Sequence, residues 1–342
     1  MQEESTELLI VGAGPCGLAC GIEAAKRHVP YLILDKGSIT DAVRRYPVNG
    51  HFFSTADKLE IGNLPFPAVH SRPTRTEALQ YYRRATEFFD LNLRLYNTVT
   101  AIRQVEGGFA VDTHRGVRYR ARYVAVATGY YDQPRPLTIE GGSLPHVHRY
   151  YSEPFPYAHT RTTILGGGNS AIETALDLFR NGVGHLRMFV WEDDFTPTAK
   201  YWLLPDIRNR VKQGEIEVHF STRAERITPD AVVVRHLKTD EVREYPTDFV
   251  LALIGYRPDA ELMRGAGIQL DGPMLIPRID AATYETNVPD LYVVGSIVGG
   301  EETAKVFIEN GRYHGRSVVE DILRKQGSDE LIAADYPTEA HL

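Results

Sequence analysis

The 342-residue chain carries a net charge of −7 at pH 7, with 43% hydrophobic and 24% charged residues. That balance is globular rather than disordered and long enough for about two domains. The acidic sum, with no run of Lys or Arg, speaks against nucleic acid and anionic membrane as partners. No apolar stretch approaches the ~18 residues of a membrane span, and Met1–Glu7 lacks the cationic start of a secretory signal. Two cysteines provide no disulfide framework, so the cytoplasm is the expected compartment.

In chain order, Leu8–Val11 reads as a short buried parallel strand. It is followed by a glycine turn, Gly12-Ala13-Gly14-Pro15-Cys16-Gly17, and an alanine-rich helix to Ala25. A second apolar run, Tyr31–Leu34, ends at Asp35. Thr76–Phe89 has helical periodicity, whereas Val99–Ile102, Phe109–Thr113 and Val117–Ala127 read as strands. The opening pattern then returns: strand Thr162–Leu165, turn Gly166-Gly167-Gly168-Asn169-Ser170-Ala171, a helix to about Phe179, and strand Leu186–Trp191 ending at Glu192. Phe249–Ile254 and Leu291–Val294 are further buried-strand runs, and a final helix is expected to about Leu323. The acidic residues that follow suggest a frayed tail over 331–342.

The first turn is GxGxxG. Gly12 permits the tight turn, Gly14 lets backbone approach a pyrophosphate across Pro15, and Gly17 lets helix and strand pack closely. Phosphates then face free N–H groups at a helix N-terminus. Asp35, with Lys36 beside it, stands where a carboxylate accepts hydrogen bonds from ribose hydroxyls. The second turn is GxGxxA, with Gly166, Gly168, Asn169 and Ser170 as binding candidates and Glu192 as the matching acid. Two such units predict one prosthetic and one exchangeable dinucleotide, that is, FAD and a nicotinamide coenzyme. No metal is expected.

Further residues carry a family resemblance. Ala127-Thr128-Gly129 resembles the crossing element of flavoproteins that bind two dinucleotides, and Leu291–Ser296 resembles their late FAD strand, with Ser296 where most have Asp. The motif order resembles the thioredoxin reductase group. Within it, Gly-Pro-Cys-Gly at 14–17, Phe52-Phe53-Ser54-Thr55, Leu59-Glu60-Ile61-Gly62, Lys200-Tyr201-Trp202 and Phe307–Gly315 are similar to the YpdA-type bacillithiol disulfide reductases. The resemblance spans roughly residues 8 to 325 and implies two Rossmann-like three-layer α/β domains. The FAD domain comprises 1–130 plus 282–330, and a nicotinamide domain, 131–281, is inserted into it. It also implies FAD contacts at Val99, Thr128, Gly129, Gly295 and Ser296, and a homo-oligomer. The implied reaction passes hydride from NAD(P)H to flavin and on to a small-molecule disulfide, bacillithiol disulfide above all. Flavin monooxygenase and ferredoxin or flavodoxin reductase are the alternative enzymes, and a redox-sensing interaction module the non-enzymatic one.

The Cys-x-x-Cys pair of thioredoxin reductases is absent: its interval reads His146-Val147-His148-Arg149-Tyr150-Tyr151, with His146 and His148 taken as hinge or surface residues. Cys16 and Cys20, four apart on a helix, lie too far apart for a bridge. The resemblance makes Cys16 the catalytic thiol, forming a mixed disulfide with substrate. A helix N-terminus lowers its pKa and a nearby pyrophosphate raises it. Cys20 reads as packing. The resemblance implies NADPH, whereas Glu192-Asp193-Asp194 suits NADH unless Arg187 or Lys200 folds close. NADPH is retained as the expectation, with NADH as the alternative.

Overall fold

The computed structural model describes residues 3–197 and 199–328, so the expected tail at 331–342 lies outside the described residues. The chain forms two compact units. One comprises the residues up to Arg44, Ser54–Asp132 and the residues from Arg257 on; the other comprises Arg45–Phe53 and Gln133–Tyr256.

In the first unit, apolar runs with few breakers make a seven-stranded sheet. Leu93–Arg94, Tyr31–Leu34, Glu3–Val11 and Arg118–Val126 run parallel, in that order. Arg118–Val126 changes partner midway. Its first half pairs antiparallel with Gly108–Thr113, and its second half pairs parallel with Leu291–Val293. Residues two apart on each strand share a face. Leu9, Val11, Leu32, Leu34, Val124, Val126, Leu291 and Val293 thus build one core. Leu8, Ile10, Ile33 and Tyr292 on the other face are also fully buried, as parallel strands covered on both sides require. The helix Pro15–Lys26 packs against the last helix, His314–Lys325, where Gly315 faces the backbone of Cys20.

The chain returns to this unit at Arg257, before the expected residue 282. The reason is hydrophobic: Met263, Ala266 and Ile268, in and after the helix Ala260–Gly265, join the same core as Val111 and Leu291. The elements that were expected otherwise differ from the observed ones mainly at their ends, whereas Leu203–Lys212, Thr222–Ile227, Ala231–His236 and Val242–Pro246 were not expected. The helix read as Thr76–Phe89 spans Arg75–Phe88, started by a Thr74/Glu77 capping box. The single final helix is a 3-10 turn (Gly295–Gly299), a short helix (Ile308–Gly311) and His314–Lys325.

The second unit has a five-stranded, all-parallel sheet ordered Glu217–His219, His185–Phe189, Arg161–Leu165, Phe249–Ala252, Val147–His148. The helix Asn169–Arg180 covers one face through Ile172, Ala175 and Leu176. The other face is covered by an antiparallel sheet, Thr222–Ile227, Ala231–His236 and Val242–Pro246, with Val232 and Val234 packed on Leu165 and Val250. His148, read together with His146 as a hinge or surface residue, lies in the strand Val147–His148. His148 Nδ1 lies 2.8 Å from the Tyr157 hydroxyl, and Tyr151 is buried.

Candidate functional site

The first glycine turn is a backbone cradle. Gly12 has φ 118°, which glycine alone adopts without strain, and a Cβ there would stand 2.5 Å from the Ala127 carbonyl oxygen. A Cβ on Gly17 would overlap the carbonyl of Gly12. Gly14 differs: a Cβ there would meet nothing within 4 Å, so its bareness keeps a face open instead of relieving a clash. Gly14 caps the helix Pro15–Lys26, whose first turn has neither a side-chain cap nor an acidic residue. The N–H groups and the positive end of the helix dipole are thus left for an anion. An open backbone face at a bare helix N-terminus fits a pyrophosphate.

Around this cradle the structure gathers most of the expected residues. Asp35 accepts hydrogen bonds from the N–H groups of Ala13 (2.6 Å) and Gly37 (2.7 Å), so it braces the turn. Burial raises its pKa, and the two N–H donors oppose that rise. Lys36 is paired with Asp132 at 2.8 Å. A Cβ on Gly12 would stand 3.2 Å from Thr128 N, and one on Gly129 would stand 3.6 Å from Ser296 Oγ, so Gly129 and Ser296 are neighbours. Val99 instead starts its own strand and packs against the core.

Cys16 lodges in a niche made by two glycines. A Cβ on Gly295 would lie 3.2 Å from its Sγ, and one on Gly311 2.9 Å. Both thiols are free. The sequence left the direction of the Cys16 pKa open between the helix end and a nearby pyrophosphate; burial pushes its thiol up to about 12. Cys20 is fully buried, and burial, then the charge of Glu23, push its thiol up as well.

The sequence did not single out Tyr284, and it marked Gly311 and His314 only as members of the Phe307–Gly315 stretch. His314 Nδ1 accepts the Gly295 N–H at 3.2 Å, so the ring proton sits on Nε2. The ring stacks on Tyr284 with centroids 4.0 Å apart, and burial lowers its pKa to about 4. The signal was present in the Asn-Gly-Arg-Tyr-His-Gly ending, which had been used only as a resemblance.

The second turn repeats the first. Gly166 has φ 125° and donates to Phe189 O at 3.0 Å, as Gly12 donates to Leu34 O at 2.7 Å. Gly168, like Gly14, would place a Cβ in open space, and it caps a helix with no side-chain cap and no acid in its first turn. Asn169 Oδ1 accepts from Lys200 N at 2.7 Å, and Ser170 is exposed. Gly167 packs on Val190, after which Trp191 and Glu192 are exposed. The segments Phe52–Phe53 and Lys200–Trp202, separate in sequence, meet within this unit: Phe53 stacks on Trp202 with centroids 5.3 Å apart.

A parallel strand, a glycine turn and an uncapped helix, present twice in one chain, define the class of oxidoreductases that hold two dinucleotides. Among known proteins, the pyridine nucleotide-disulphide oxidoreductase family matches residues 9–295. The bacilliredoxin reductase Bdr of Bacillus subtilis (strain 168) is 32% identical over 93% of this chain and 98% of its own length. The solved bacillithiol disulfide reductase Bdr (YpdA) from Staphylococcus aureus has a TM-score of 0.91 at 35% identity, covering 95% of this chain and 100% of that one. The thioredoxin reductase of T. acidophilum, with a TM-score of 0.76, 18% identity and 95% and 100% coverage, shares the fold. The chain belongs to the pyridine nucleotide-disulphide oxidoreductase family, as an FAD-dependent enzyme of thioredoxin reductase-like fold that uses NAD(P)H.

Proposed function

We propose that the enzyme reduces bacillithiol disulfide with electrons from NAD(P)H and that Cys16 is its nucleophile. In this reading FAD is held by Gly12, Gly14, Pro15, Gly17, Asp35, Lys36, Val99, Thr128, Gly129, Gly295 and Ser296. NAD(P)H is held by Gly166, Gly168, Asn169, Ser170 and Glu192. FAD, when bound, relays the two electrons of NAD(P)H to sulfur. The observation that carries the reading is the place of the Cys16 sulfur, against bare backbone at Gly295 and Gly311 beside the first cradle. The full-length likeness to two Bdr proteins supports a disulfide substrate over oxygen insertion or transfer to ferredoxin.

Cys16, once its thiol has given up its proton, attacks one sulfur of the substrate disulfide as the thiolate. A Cys16–sulfur bond forms, the substrate S–S bond breaks, and the first bacillithiol leaves with the electron pair and takes up a proton. Two electrons and one proton from the NAD(P)H hydride, with a second proton from solvent, then cleave the mixed disulfide, giving the second bacillithiol and the Cys16 thiol. His314 fixes the Gly295 peptide against which the sulfur rests. Two free cysteines agree with a reducing, cytoplasmic setting. Homo-oligomerisation comes into the reading from the family resemblance alone.

The test is intact-mass analysis of the oxidised enzyme after incubation with bacillithiol disulfide, for wild type and Cys16→Ala. One bacillithiol adduct on the wild type, mapped to Cys16, and none on the variant is the expected result. Disulfide turnover by Cys16→Ala at the wild-type rate would remove the thiol from the mechanism.

A further inference from the structure

We infer that the second cradle selects NADH over NADPH, with Glu192 as the residue that decides. The inference rests on the proposal that this turn holds the nicotinamide coenzyme. The coenzymes differ by one phosphate on the adenosine 2′ oxygen, and that oxygen is read by whatever stands at the end of the strand after the glycine helix. That strand is His185–Phe189. Its continuation is locked to the turn: Gly166 N donates to Phe189 O at 3.0 Å, and Thr196 N donates to Gly167 O at 3.2 Å. A Cβ on Gly167 would reach Val190 Cγ1 at 2.5 Å. Two residues beyond Val190, the exposed Glu192 has its backbone carbonyl fixed by Ser221 N at 2.8 Å.

A carboxylate there accepts a hydrogen bond from a ribose hydroxyl and repels a 2′-phosphate. A cation able to reach the phosphate would oppose the effect, and the cations of this edge other than Arg223 stand beside carboxylate partners. Arg187, with its side chain 10% exposed, is paired with Glu217 at 2.8 Å and lies over the Tyr245 ring. Lys200 is paired with Glu173 and is 12% exposed. Lys238 pairs with Asp193 at 2.8 Å, and Asp193 also accepts from the Ser221 hydroxyl. Arg208 pairs with Asp194 at 2.7 Å. Arg223, exposed on the next strand, has no ion-pair partner among the described residues, since Glu225 pairs with Arg235. Of the three consecutive acids, two have cationic partners and Glu192 has none among the described residues. Trp191 beside it is 61% exposed and offers a flat apolar surface to an adenine ring.

The probes are ADP-ribose and 2′-phospho-ADP-ribose, redox-inert fragments titrated calorimetrically into the flavin-loaded enzyme. Wild type is expected to bind ADP-ribose about tenfold or more tightly than its 2′-phosphate. Glu192→Gln should narrow that ratio, and Glu192→Arg should invert it, at unchanged melting temperature. Trp191→Ala should weaken both ligands without moving the ratio. Tighter binding of the 2′-phosphate by wild type, or a ratio unmoved in both Glu192 variants, overturns the inference and leaves the coenzyme site standing. If that reversed preference disappears in Arg223→Gln, Arg223 is the clamp in place of Glu192. Binding of neither fragment refutes the nicotinamide reading of this turn, and the inference falls with it.

Discussion

Gly14 and Gly17 stand three residues apart in one turn, yet they are glycine for opposite reasons, and this can be measured. The built Cβ of Gly17 overlaps the Gly12 carbonyl oxygen and lies 3.0 Å from its carbon, so Gly17→Ala must push backbone against backbone. Overpacking of this kind costs about 1–3 kcal/mol, enough to lower the melting temperature of the apoprotein by about 2–10 °C at this size. Gly14 has φ −71° and ψ 172°, a conformation open to any residue, and its Cβ meets nothing within 4 Å. Gly14→Ala should leave apoprotein stability within about 1 kcal/mol of wild type, or raise it slightly through the unfolded chain. If this turn holds FAD as proposed, the same methyl would occupy the open face on which the diphosphate lies. Loss of one charge-assisted hydrogen bond, about 1.5–3 kcal/mol, weakens FAD by about 10–100-fold. Calorimetric melting of apoproteins together with FAD titration separates the two effects. A Gly14→Ala protein that binds FAD like wild type, or that melts as low as Gly17→Ala, would refute the reasoning.

Alkylation of Cys16 in the native apoprotein should accelerate about tenfold per pH unit from pH 7 to 10, since burial holds its pKa near 12. A plateau between pH 7 and 8 would show a thiolate already formed. Cys20, fully buried, should react only on unfolding. Burial lowers the His314 pKa to about 4 from the 6.5 of a free imidazole. Its contribution is whole above pH 6.5 and is lost as pH falls towards 4, because the unfolded state binds the proton first. Urea titrations from pH 7 to 4.5 should show this loss, up to about 3 kcal/mol, and His314→Gln should flatten it. Gly315→Ala would set a methyl 2.8 Å from Cys20 N, and should destabilise the first unit by about 1–3 kcal/mol, read by denaturant melting.

Both glycine turns were legible because their signal is local: an apolar run, small residues at fixed spacing, and an acid where the next strand ends. The edges of the units were less so. Arg45–Phe53 belongs with the second unit through contacts such as Val48 N to Ser152 O at 2.8 Å, which no periodicity announces. The strand Val242–Pro246 went unread because its residues are exposed and mostly charged or polar. Thr222–Ile227 carries a register irregularity between Ala224 and Arg226, which breaks the alternation that would mark it. The thiol pKa of Cys16 was out of reach for another reason. Sequence places the sulfur at a helix end, but the burial that outweighs the helix comes from Gly295 and Gly311, remote in the chain.

The niche around Cys16 also ties three distant positions into one volume. A methyl on Gly311 would fall 2.9 Å from the sulfur, next to the space that Cys16→Ala vacates. Cys16→Ala alone leaves a void and a side chain at residue 311 alone a collision, whereas the pair removes the contact with sulfur and keeps the one with the Gly295 Cα at 3.1 Å. Divergence at residue 16 therefore bears on residue 311 only together with the backbone at Gly295.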